Sequence, residues 1–302
     1  MSYTRVPDLE TAQRAFIDAV IPTATVRRIP WSEGETQVIE AGEGPPLLFV
    51  HGGFTQATDW IPLWPHLAQR YRLMAVDRPG HGLADPYDYR GVDTRQLAVR
   101  FLADVLDALG LDQPAIVGNS LGGRWSVELA LRHPNRVAQL ILAGAPAGSK
   151  ARVPVQMLAM RWPVTRPIVR RIFRRAEPEG IRDFYGKVNV VHPEGLSQEF
   201  LLATAAGQRR NHQSLLSFAT RAMTYSSIHP DLLLPDKWQE VQVPVHFIWG
   251  NGDVFDSPAT GQAAVPRVAG GADMTIVPGA GHLPWLDEPE AVARAIESSL
   301  GS

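Results

Sequence analysis

A serine between glycines is the residue whose setting points most directly to chemistry. Ser120 lies in the run GNSLGG at 118–123, directly after the short apolar run PAIV and before the helical run RWSVELALRH. A sharp turn from strand to helix holds such a hydroxyl at the edge of a sheet, and the helix N-terminus favours developing negative charge. The same pattern also occurs as a plain glycine-rich loop, so the interpretation depends on partner residues. We predict that Ser120 is a nucleophile.

A serine hydroxyl is a weak nucleophile unless a neighbouring base removes its proton. Of the nine histidines, His282 ends the run GAGH, after the last predicted strand and before a final helix. It is therefore expected at the carboxyl edge of the sheet, beside Ser120. The acid that orients this histidine is expected between the two in chain order. Asp253 follows the predicted strand HFIWG and is our choice, while Asp256 is the alternative that could instead cap the next helix.

Short apolar runs alternate with helix-length segments, which is typical of βαβ units and a mainly parallel sheet. The predicted strands are 47–50, 73–76, 115–117, 140–143, 245–249 and 274–277, preceded by an antiparallel pair at 25–31 and 36–40. Helical periodicity covers 94–109, 125–132, 258–268 and 288–300. The predicted fold class is α/β.

The alternation stops after residue 143 and resumes at residue 243. Between these positions lie helix-like pieces broken by prolines, with no convincing strand. Residues 149–238 carry 14 basic and 7 acidic side chains, against 15 basic and 24 acidic in the rest of the chain. We therefore predict a mostly helical cap at 148–238, inserted into a core formed by 1–147 and 239–302.

One segment of this cap, IVRRIFRR at 168–175, has the pattern of an amphipathic helix. The apolar residues fall within one arc and the arginines occupy the rest. We predict that the apolar residues pack inward and that the arginines point to solvent. These residues are Ile168, Val169, Ile172 and Phe173 on the apolar arc, and Arg170, Arg171, Arg174 and Arg175 on the other.

Composition excludes several classes of function. The 29 basic and 31 acidic residues leave no basic excess for a nucleic-acid partner. The absence of cysteine excludes disulfides, thiolate metal sites and a cysteine nucleophile. The N-terminus lacks the apolar run of a secretory signal, and no stretch is long enough to span a membrane. We expect a cytoplasmic protein that acts on a small molecule without metal or cofactor and without stable membrane insertion; its oligomeric state is left open.

The chain resembles the α/β-hydrolase fold family, in the group that includes esterases, epoxide hydrolases and haloperoxidase-like enzymes. The matching motifs are HG at 51–52, DRPGHG at 77–82, GNSLGG at 118–123, WGNGD at 249–253 and GH at 281–282, and they cover about residues 25–145 and 240–300. The resemblance implies a mainly parallel sheet flanked by helices, with an inserted cap. It also implies a triad of Ser120, Asp253 and His282, and a structural role for the 77–82 motif.

The resemblance further implies an oxyanion hole built from backbone N–H groups. One donor is Leu121, the residue after the nucleophile. The other comes from the loop after the strand at 47–50, where Gly53 and Phe54 remain alternatives. His51 opens this loop, and we expect it to be a structural residue and not a base.

Serine stands where the epoxide hydrolases and haloalkane dehalogenases of this fold carry aspartate, so acyl transfer is favoured over attack on an epoxide or a carbon–halogen bond. We expect hydrolysis of a carboxylic ester of a small hydrophobic molecule through an acyl-enzyme. The candidate substrate-binding residues are Asn119, Trp162 and Trp285.

Two alternatives remain open. Asn119 before the nucleophile is similar to the Gly-Asn-Ser-x-Gly-Gly motif of the C–C bond hydrolases that act on meta-cleavage products. Those enzymes tend to have tryptophan directly after the catalytic histidine, whereas Leu283 follows here. The second alternative is a small-molecule receptor that retains the triad but turns substrate over slowly or not at all.

Overall fold

An eight-stranded sheet forms the centre of the computed structural model, which describes residues 6–144, 153, 155–232, 234 and 237–301. The strands are β1 (Thr25–Trp31), β2 (Gly34–Ala41), β3 (Pro46–Val50), β4 (Arg72–Val76), β5 (Ala115–Gly118), β6 (Gln139–Ala143), β7 (Val245–Gly250) and β8 (Ala272–Val277). Their spatial order is β1-β2-β4-β3-β5-β6-β7-β8. The pairs β1–β2 and β2–β4 are antiparallel, and the other five are parallel. All eight predicted strands, and the mainly parallel sheet, are confirmed.

Both faces of the sheet are covered. Along β3, Leu47 and Phe49 join the apolar cluster on one face, whereas Leu48 and Val50 join the cluster on the other. Because successive side chains of a strand point to opposite faces, a strand buried on both sides must be apolar at every position. This is why the central strands β3 to β7 read as nearly continuous apolar runs in the sequence.

Ten α-helices lie in the described part of the chain. They are α1 (Leu9–Val20), α2 (Thr94–Leu109), α3 (Ser120–Arg132), α4 (Val155–Leu158), α5 (Arg166–Arg174), α6 (Pro178–Val188), α7 (Gln198–Ala222), α8 (Pro258–Ala264), α9 (Pro284–Asp287) and α10 (Pro289–Ser299). Sequence analysis did not predict α1. Asp8 caps it by accepting a hydrogen bond from the Thr11 backbone N–H at 2.9 Å. Its Phe16 ring packs edge to face on Phe200 of α7, with centroids 5.7 Å apart.

Helices α4 to α7 occupy the chain between β6 and β7. Within the described part of this segment, the only β pairing is a single bridge between Met223 and Ile228. Helix α7 is tied to the loop after β4: the Asn211 side-chain amide donates to the Gly82 carbonyl at 2.8 Å. The division into a core (1–147 and 239–302) and a cap (148–238) stays a prediction, and its boundary at 147/148 lies outside the described residues. As far as the chain is described, it contains no helix with the length and apolar character needed to cross a bilayer.

The prediction for the amphipathic segment is only partly correct. Val169 and Phe173 of α5 are buried, but Ile168 and Ile172 are 62% and 58% exposed. Helix α5 packs mainly against α7. A single neighbouring helix covers a narrower arc than the 140° or so that the apolar residues span. Half of the apolar arc of α5 therefore faces solvent, as the arginines do.

Candidate active site

Ser120 lies at the tip of a tight turn between β5 and α3. It is the first residue of α3 and has a φ of +49°, in the left-handed region that is costly for a residue with a side chain. Such a conformation costs about 1–3 kcal/mol and persists only where the surroundings impose it. Two glycines allow the turn: a Cβ on Gly118 would lie 2.6 Å from the Gly123 backbone, and one on Gly122 would lie 2.1 Å from the Val50 carbonyl oxygen.

His282 is held by a buried carboxylate. Its Nδ1 lies 2.8 Å from Oδ2 of Asp253, whose side chain is fully buried. The other carboxylate oxygen accepts the backbone N–H of Phe255 at 2.9 Å. The Phe255 ring also packs against the imidazole, with centroids 4.2 Å apart. A proton on Nδ1 shared with the carboxylate leaves Nε2 as the basic nitrogen.

The alternative acid, Asp256, is engaged elsewhere. Its Oδ1 accepts the backbone N–H of Ser257 at 2.9 Å and the hydroxyl of Thr260 at 2.7 Å. These contacts lie at the beginning of α8, whose N-cap residue is Ser257 and not Asp256. Of the two carboxylates, Asp253 is the one that the structure brings to His282.

The loop after β3 is held by a buried arginine. The Arg78 guanidinium donates to the carbonyl oxygen of His51 at 3.1 Å and to that of Gly52 at 2.7 Å. His51 Nε2 accepts the backbone N–H of Arg78 at 2.9 Å. Burial, and then the positive charge of Arg78, hold the pKa of His51 well below its ordinary value. His51 is therefore neutral and fully engaged in the loop, as expected of a structural residue.

The contact of Arg78 with this loop was not predicted from the sequence. It belongs to the DRPGHG motif at 77–82, which was recognised as structural without a link to the loop. Burial lowers the pKa of Arg78 to about 10, so the guanidinium still carries its charge at neutral pH. It also lies over the ring of Trp125, 4.9 Å from the centroid. The motif signals the turn, but only the folded chain reveals which carbonyls the arginine holds.

Ser120 and His282 open into one apolar cavity. The empty space within it amounts to about 790 Å³, which includes open solvent at its mouth. Helices of the segment between β6 and β7 supply much of its wall. The lining residues are Gly53, Phe54, Thr55, Asn119, Ser120, Leu121, Val153, Met157, Phe184, Val188, Asn189, Phe218, Ala222, Met223, Ile228, Leu232, Phe255, His282 and Leu283.

The lining of this cavity has few polar side chains. Among the described residues that line the cavity, none is Asp, Glu, Lys or Arg, and His282 is the sole ionisable group. Nor does any cluster of three or more His, Asp or Glu side chains in the described residues offer a metal site. The polar groups are confined to the hydroxyl, amide and imidazole side chains and to backbone groups. The candidate oxyanion donors Leu121, Gly53 and Phe54 all border the cavity, and Gly53 and Phe54 remain alternatives.

The three predicted substrate-binding residues have different environments. Asn119 borders the cavity, but its amide N–H groups donate to the carbonyl oxygens of Ala143 at 2.7 Å and His282 at 3.1 Å. Its side chain therefore joins the nucleophile turn to the histidine loop. Asn189, which sequence analysis did not single out, also lines the cavity. Its backbone carbonyl accepts the backbone N–H of Leu283 at 2.9 Å.

Neither of the two predicted tryptophans is among the described residues that line the cavity. Trp162 is 46% exposed, and its indole N–H donates to the Tyr225 carbonyl at 3.0 Å. Trp285 is buried and stacked on Trp60, with ring centroids 3.8 Å apart, and its N–H donates to the Asp59 carbonyl at 2.7 Å. Trp285 lies at the start of α9, where its side chain is turned into the core beneath the 3-10 helix Ala57–His66.

Comparison with known proteins identifies the family of this chain. The sequence profile of the Alpha/beta hydrolase family matches residues 47–295. The chain is 26% identical to a 2-hydroxy-6-oxononadienedioate/2-hydroxy-6-oxononatrienedioate hydrolase of Cupriavidus pinatubonensis, over 96% of this chain and all of the relative. It is 40% identical to the 2-hydroxy-6-oxo-2,4-heptadienoate hydrolase of Pseudomonas putida, over only 37% of this chain and 41% of that relative.

Two solved structures illustrate the similarity of fold. Carboxylesterase CesB of Bacillus subtilis superposes with a TM-score of 0.76 at 24% identity, covering 97% of this chain and 98% of the esterase. The 2-hydroxy-6-oxo-6-phenylhexa-2,4-dienoate hydrolase of Rhodococcus gives a TM-score of 0.76 at 19% identity, covering 92% of this chain and 99% of that enzyme. At these identities, the superpositions establish the fold and leave the substrate undecided.

Proposed function

Because this chain belongs to the Alpha/beta hydrolase family, we propose that it is a serine hydrolase that cleaves neutral carboxylic esters of small apolar molecules through an acyl-enzyme. Ser120 is the nucleophile, His282 the general base and Asp253 the carboxylate that orients the histidine. The observation that carries the proposal is the apolar cavity beside Ser120 and His282, whose described lining contains no Asp, Glu, Lys or Arg. We retain the expected cytoplasmic location as part of the proposal.

The reaction uses only protein groups and water. Ser120 Oγ attacks the ester carbonyl carbon while His282 Nε2 takes the hydroxyl proton. Backbone N–H groups of Leu121 and of Gly53 or Phe54 stabilise the oxyanion. His282 then gives its proton to the departing alkoxide. In the second half, His282 takes a proton from water, the hydroxide attacks the acyl carbon, and Ser120 recovers its proton as the acid leaves.

The uncharged lining favours neutral substrates over acids. Moving a carboxylate from water into an apolar cavity is unfavourable unless a cation or several hydrogen-bond donors compensate. None of the described lining residues is Lys or Arg. An ester whose acyl and alcohol parts are both apolar avoids this cost and gains from burial in the cavity.

Hydrolysis of a C–C bond in a meta-cleavage product is the second candidate. It is supported by the relatives at 26% and 40% identity, whose names specify dienedioate, trienedioate or dienoate substrates, and by Asn119 before the nucleophile. Those substrates are carboxylates, which the described cavity lining is poorly suited to bind. Trp285, three positions after His282, is stacked on Trp60 in the core and does not take the place of a tryptophan directly after the histidine.

A substrate panel tests the ranking. It combines p-nitrophenyl esters of increasing acyl length, matched esters with a terminal carboxylate on the acyl chain, and 2-hydroxy-6-oxo-2,4-heptadienoate. We expect neutral esters to have the highest kcat/KM and the carboxylate-bearing esters to fall well below their neutral counterparts. A dienoate hydrolysed faster than every ester would make the C–C hydrolase the better assignment. Negligible turnover of all substrates by folded protein that binds them would favour a receptor.

A covalent probe tests the nucleophile separately. A fluorophosphonate should add one adduct, found on the peptide that contains Ser120, and Ser120→Ala should abolish both labelling and turnover. Ser126 is a matched control, because it lies on the same helix and its hydroxyl donates to the Gly122 carbonyl at 2.8 Å. Ser126→Ala should still be labelled. An adduct at another residue would contradict the assignment.

A further inference from the structure

Helix α5 presents an exposed apolar stripe. Val164, in the turn before α5, and Ile168 and Ile172 of α5 are 77%, 62% and 58% exposed. The spacing of four residues puts the two isoleucines on one side of the helix. Trp162, just before this stripe, is 46% exposed. Exposed large apolar side chains that occur singly need no explanation, but a contiguous set indicates a contact surface.

Arginines line the neighbouring face of the same helix. Arg166, Arg170, Arg171 and Arg174 are all exposed, and α5 carries no acidic residue. None of the ion pairs within the described residues involves these four side chains. They border an open groove on this side of the molecule. The exposed stripe and these four arginines together are called the α5 surface.

We propose that the α5 surface docks the protein on an anionic phospholipid bilayer. An interfacial helix places apolar side chains at the boundary of the acyl chains while its guanidinium groups bind headgroup phosphates. The α5 surface offers both parts side by side. A second copy of the chain is a poorer occupant, because a two-fold interface centred on this helix would bring the same arginines of both copies together.

The location of α5 gives such docking a consequence for the cavity. Phe173, on the buried side of α5, packs against Phe54, with ring centroids 6.5 Å apart, and Phe54 lines the cavity. The same helix therefore has one side near the cavity wall and the other on the proposed membrane contact. Apolar compounds partition into a bilayer, so docking by α5 would bring the cavity close to them. The docking proposal itself is independent of which bond the enzyme cleaves.

Vesicle co-sedimentation of the full chain tests the proposal. We expect binding to vesicles of phosphatidylcholine mixed with phosphatidylglycerol, weak binding to pure phosphatidylcholine, and loss of binding at high salt because screening weakens the attraction between arginines and headgroups. Arg170→Gln and Arg174→Gln should each lower the partition coefficient about fivefold, as expected for one cation near an anionic surface. Ile168→Ser with Ile172→Ser should lower it further.

Matched controls separate the α5 surface from general charge and hydrophobicity. Val26→Ser removes another exposed apolar side chain, on β1, and Arg294→Gln removes another exposed arginine, on α10. Both should bind vesicles as the parent protein does. Turnover of a short water-soluble ester, or thermal melting if no ester is turned over, verifies that each variant is folded.

Two outcomes would overturn the proposal. One is equal binding to neutral and anionic vesicles, or none to either, by folded protein. The other is a concentration-dependent dimer, seen by analytical ultracentrifugation, that Ile168→Ser with Ile172→Ser abolishes while vesicle binding is unchanged. That result would assign the surface to a second copy of the chain.

Discussion

At the residue scale, hydrogen bonds distinguish two carboxylates that lie three positions apart. Asp253 is fully buried and contacts His282 Nδ1, whereas Asp256 accepts hydrogen bonds at the beginning of α8. In the proposed mechanism, the first arrangement selects the tautomer and orientation of the imidazole that acts as general base. The second links Asp256 to Ser257 and Thr260 at the beginning of α8.

Asparagine substitutions should separate these two roles. Asp253→Asn should lower kcat by about 10⁴-fold, because an amide no longer favours the imidazole tautomer that leaves Nε2 free to accept the serine proton. Asp256→Asn should leave kcat nearly unchanged and cost at most about 1 kcal/mol of stability. Steady-state kinetics on one neutral ester, with thermal melting, measures both. A larger loss of kcat in Asp256→Asn would reverse the assignment.

In the proposed mechanism Arg78 is a positioning residue. Through the carbonyl groups of His51 and Gly52 it holds the loop after β3, which carries the candidate oxyanion donors Gly53 and Phe54 and is called the oxyanion loop. Arg78→Gln should lower kcat more than it raises KM, since a displaced loop stabilises the oxyanion less well while the apolar cavity is retained. Each buried carbonyl left without a donor should also cost about 1–3 kcal/mol of stability.

A trifluoromethyl ketone distinguishes positioning from general destabilisation, because it binds to Ser120 as an oxyanion. Its affinity should fall in Arg78→Gln by a factor similar to the fall in kcat/KM, measured at a temperature where the variant is fully folded. A loss of stability with unchanged inhibitor affinity and unchanged kcat would show that Arg78 serves the fold alone.

At the scale of elements, α7 connects the core to the cavity. It has 25 residues. Near its N-terminus Phe200 contacts α1, and its last residue, Ala222, lines the cavity. Phe218 of the same helix packs on Phe54, with centroids 5.3 Å apart. One rigid helix therefore sets the distance between the oxyanion loop and the far wall of the cavity.

Enlarging Ala222 should shorten the space for the substrate. Ala222→Leu is expected to reduce kcat/KM for long-chain esters by about tenfold or more, the usual effect of a misfit by one or two carbons. Short-chain esters, which leave that part of the cavity empty, should be affected little and serve as the internal control. An equal loss for both chain lengths would mean that the acyl group does not extend toward α7.

At the scale of the whole molecule, a buried hydrogen bond joins the segment between β6 and β7 to the core. The Tyr185 hydroxyl of α6 donates to Oδ2 of Asp59 at 2.7 Å. Burial raises the pKa of Asp59 to about 7, partly opposed by this hydrogen bond. Burial likewise raises the pKa of Asp77 to about 6. Two core carboxyl groups thus titrate in the folded protein well above the range of the unfolded chain.

These groups make stability depend on pH. Between about pH 4 and the folded pKa values, the native state binds more protons than the unfolded state, so the free energy of unfolding should fall as pH rises. The contribution of Asp59 is fully present below about pH 4 and is lost as pH rises through 7, with a slope of about 1.4 kcal/mol per pH unit while it titrates.

Asp59→Asn tests this contribution and retains an acceptor for Tyr185. Urea unfolding across this pH range should show a flatter profile in the variant, with the remaining slope attributable to Asp77 and other groups. Asp18→Asn is a control, because Asp18 is exposed and its pKa is lowered by its hydrogen bond to Arg14. A profile that is unchanged in Asp59→Asn would contradict the raised pKa.

The sequence by itself determined the strands of the sheet and the chain order of Ser120, Asp253 and His282. The eight strands, the turn at Ser120 and the Asp and His turns after β7 and β8 were all predictable, because each depends on residues close together in the chain. Helix α1 was missed, although Asp8 caps it, because its apolar face packs mainly against α7, which is distant in the chain.

Tertiary structure alone decided what covers each side chain. Trp162 and Trp285 have the residue type of a substrate contact, yet one is exposed and the other is stacked in the core on Trp60. Ile168 and Ile172 share the apolar arc of α5 with buried neighbours and are nevertheless exposed. Burial of a residue depends on elements that are distant in the chain, and a local pattern records only the residue's own preference. The choice between Asp253 and Asp256, and the link from Arg78 to the oxyanion loop, depended on tertiary contacts for the same reason.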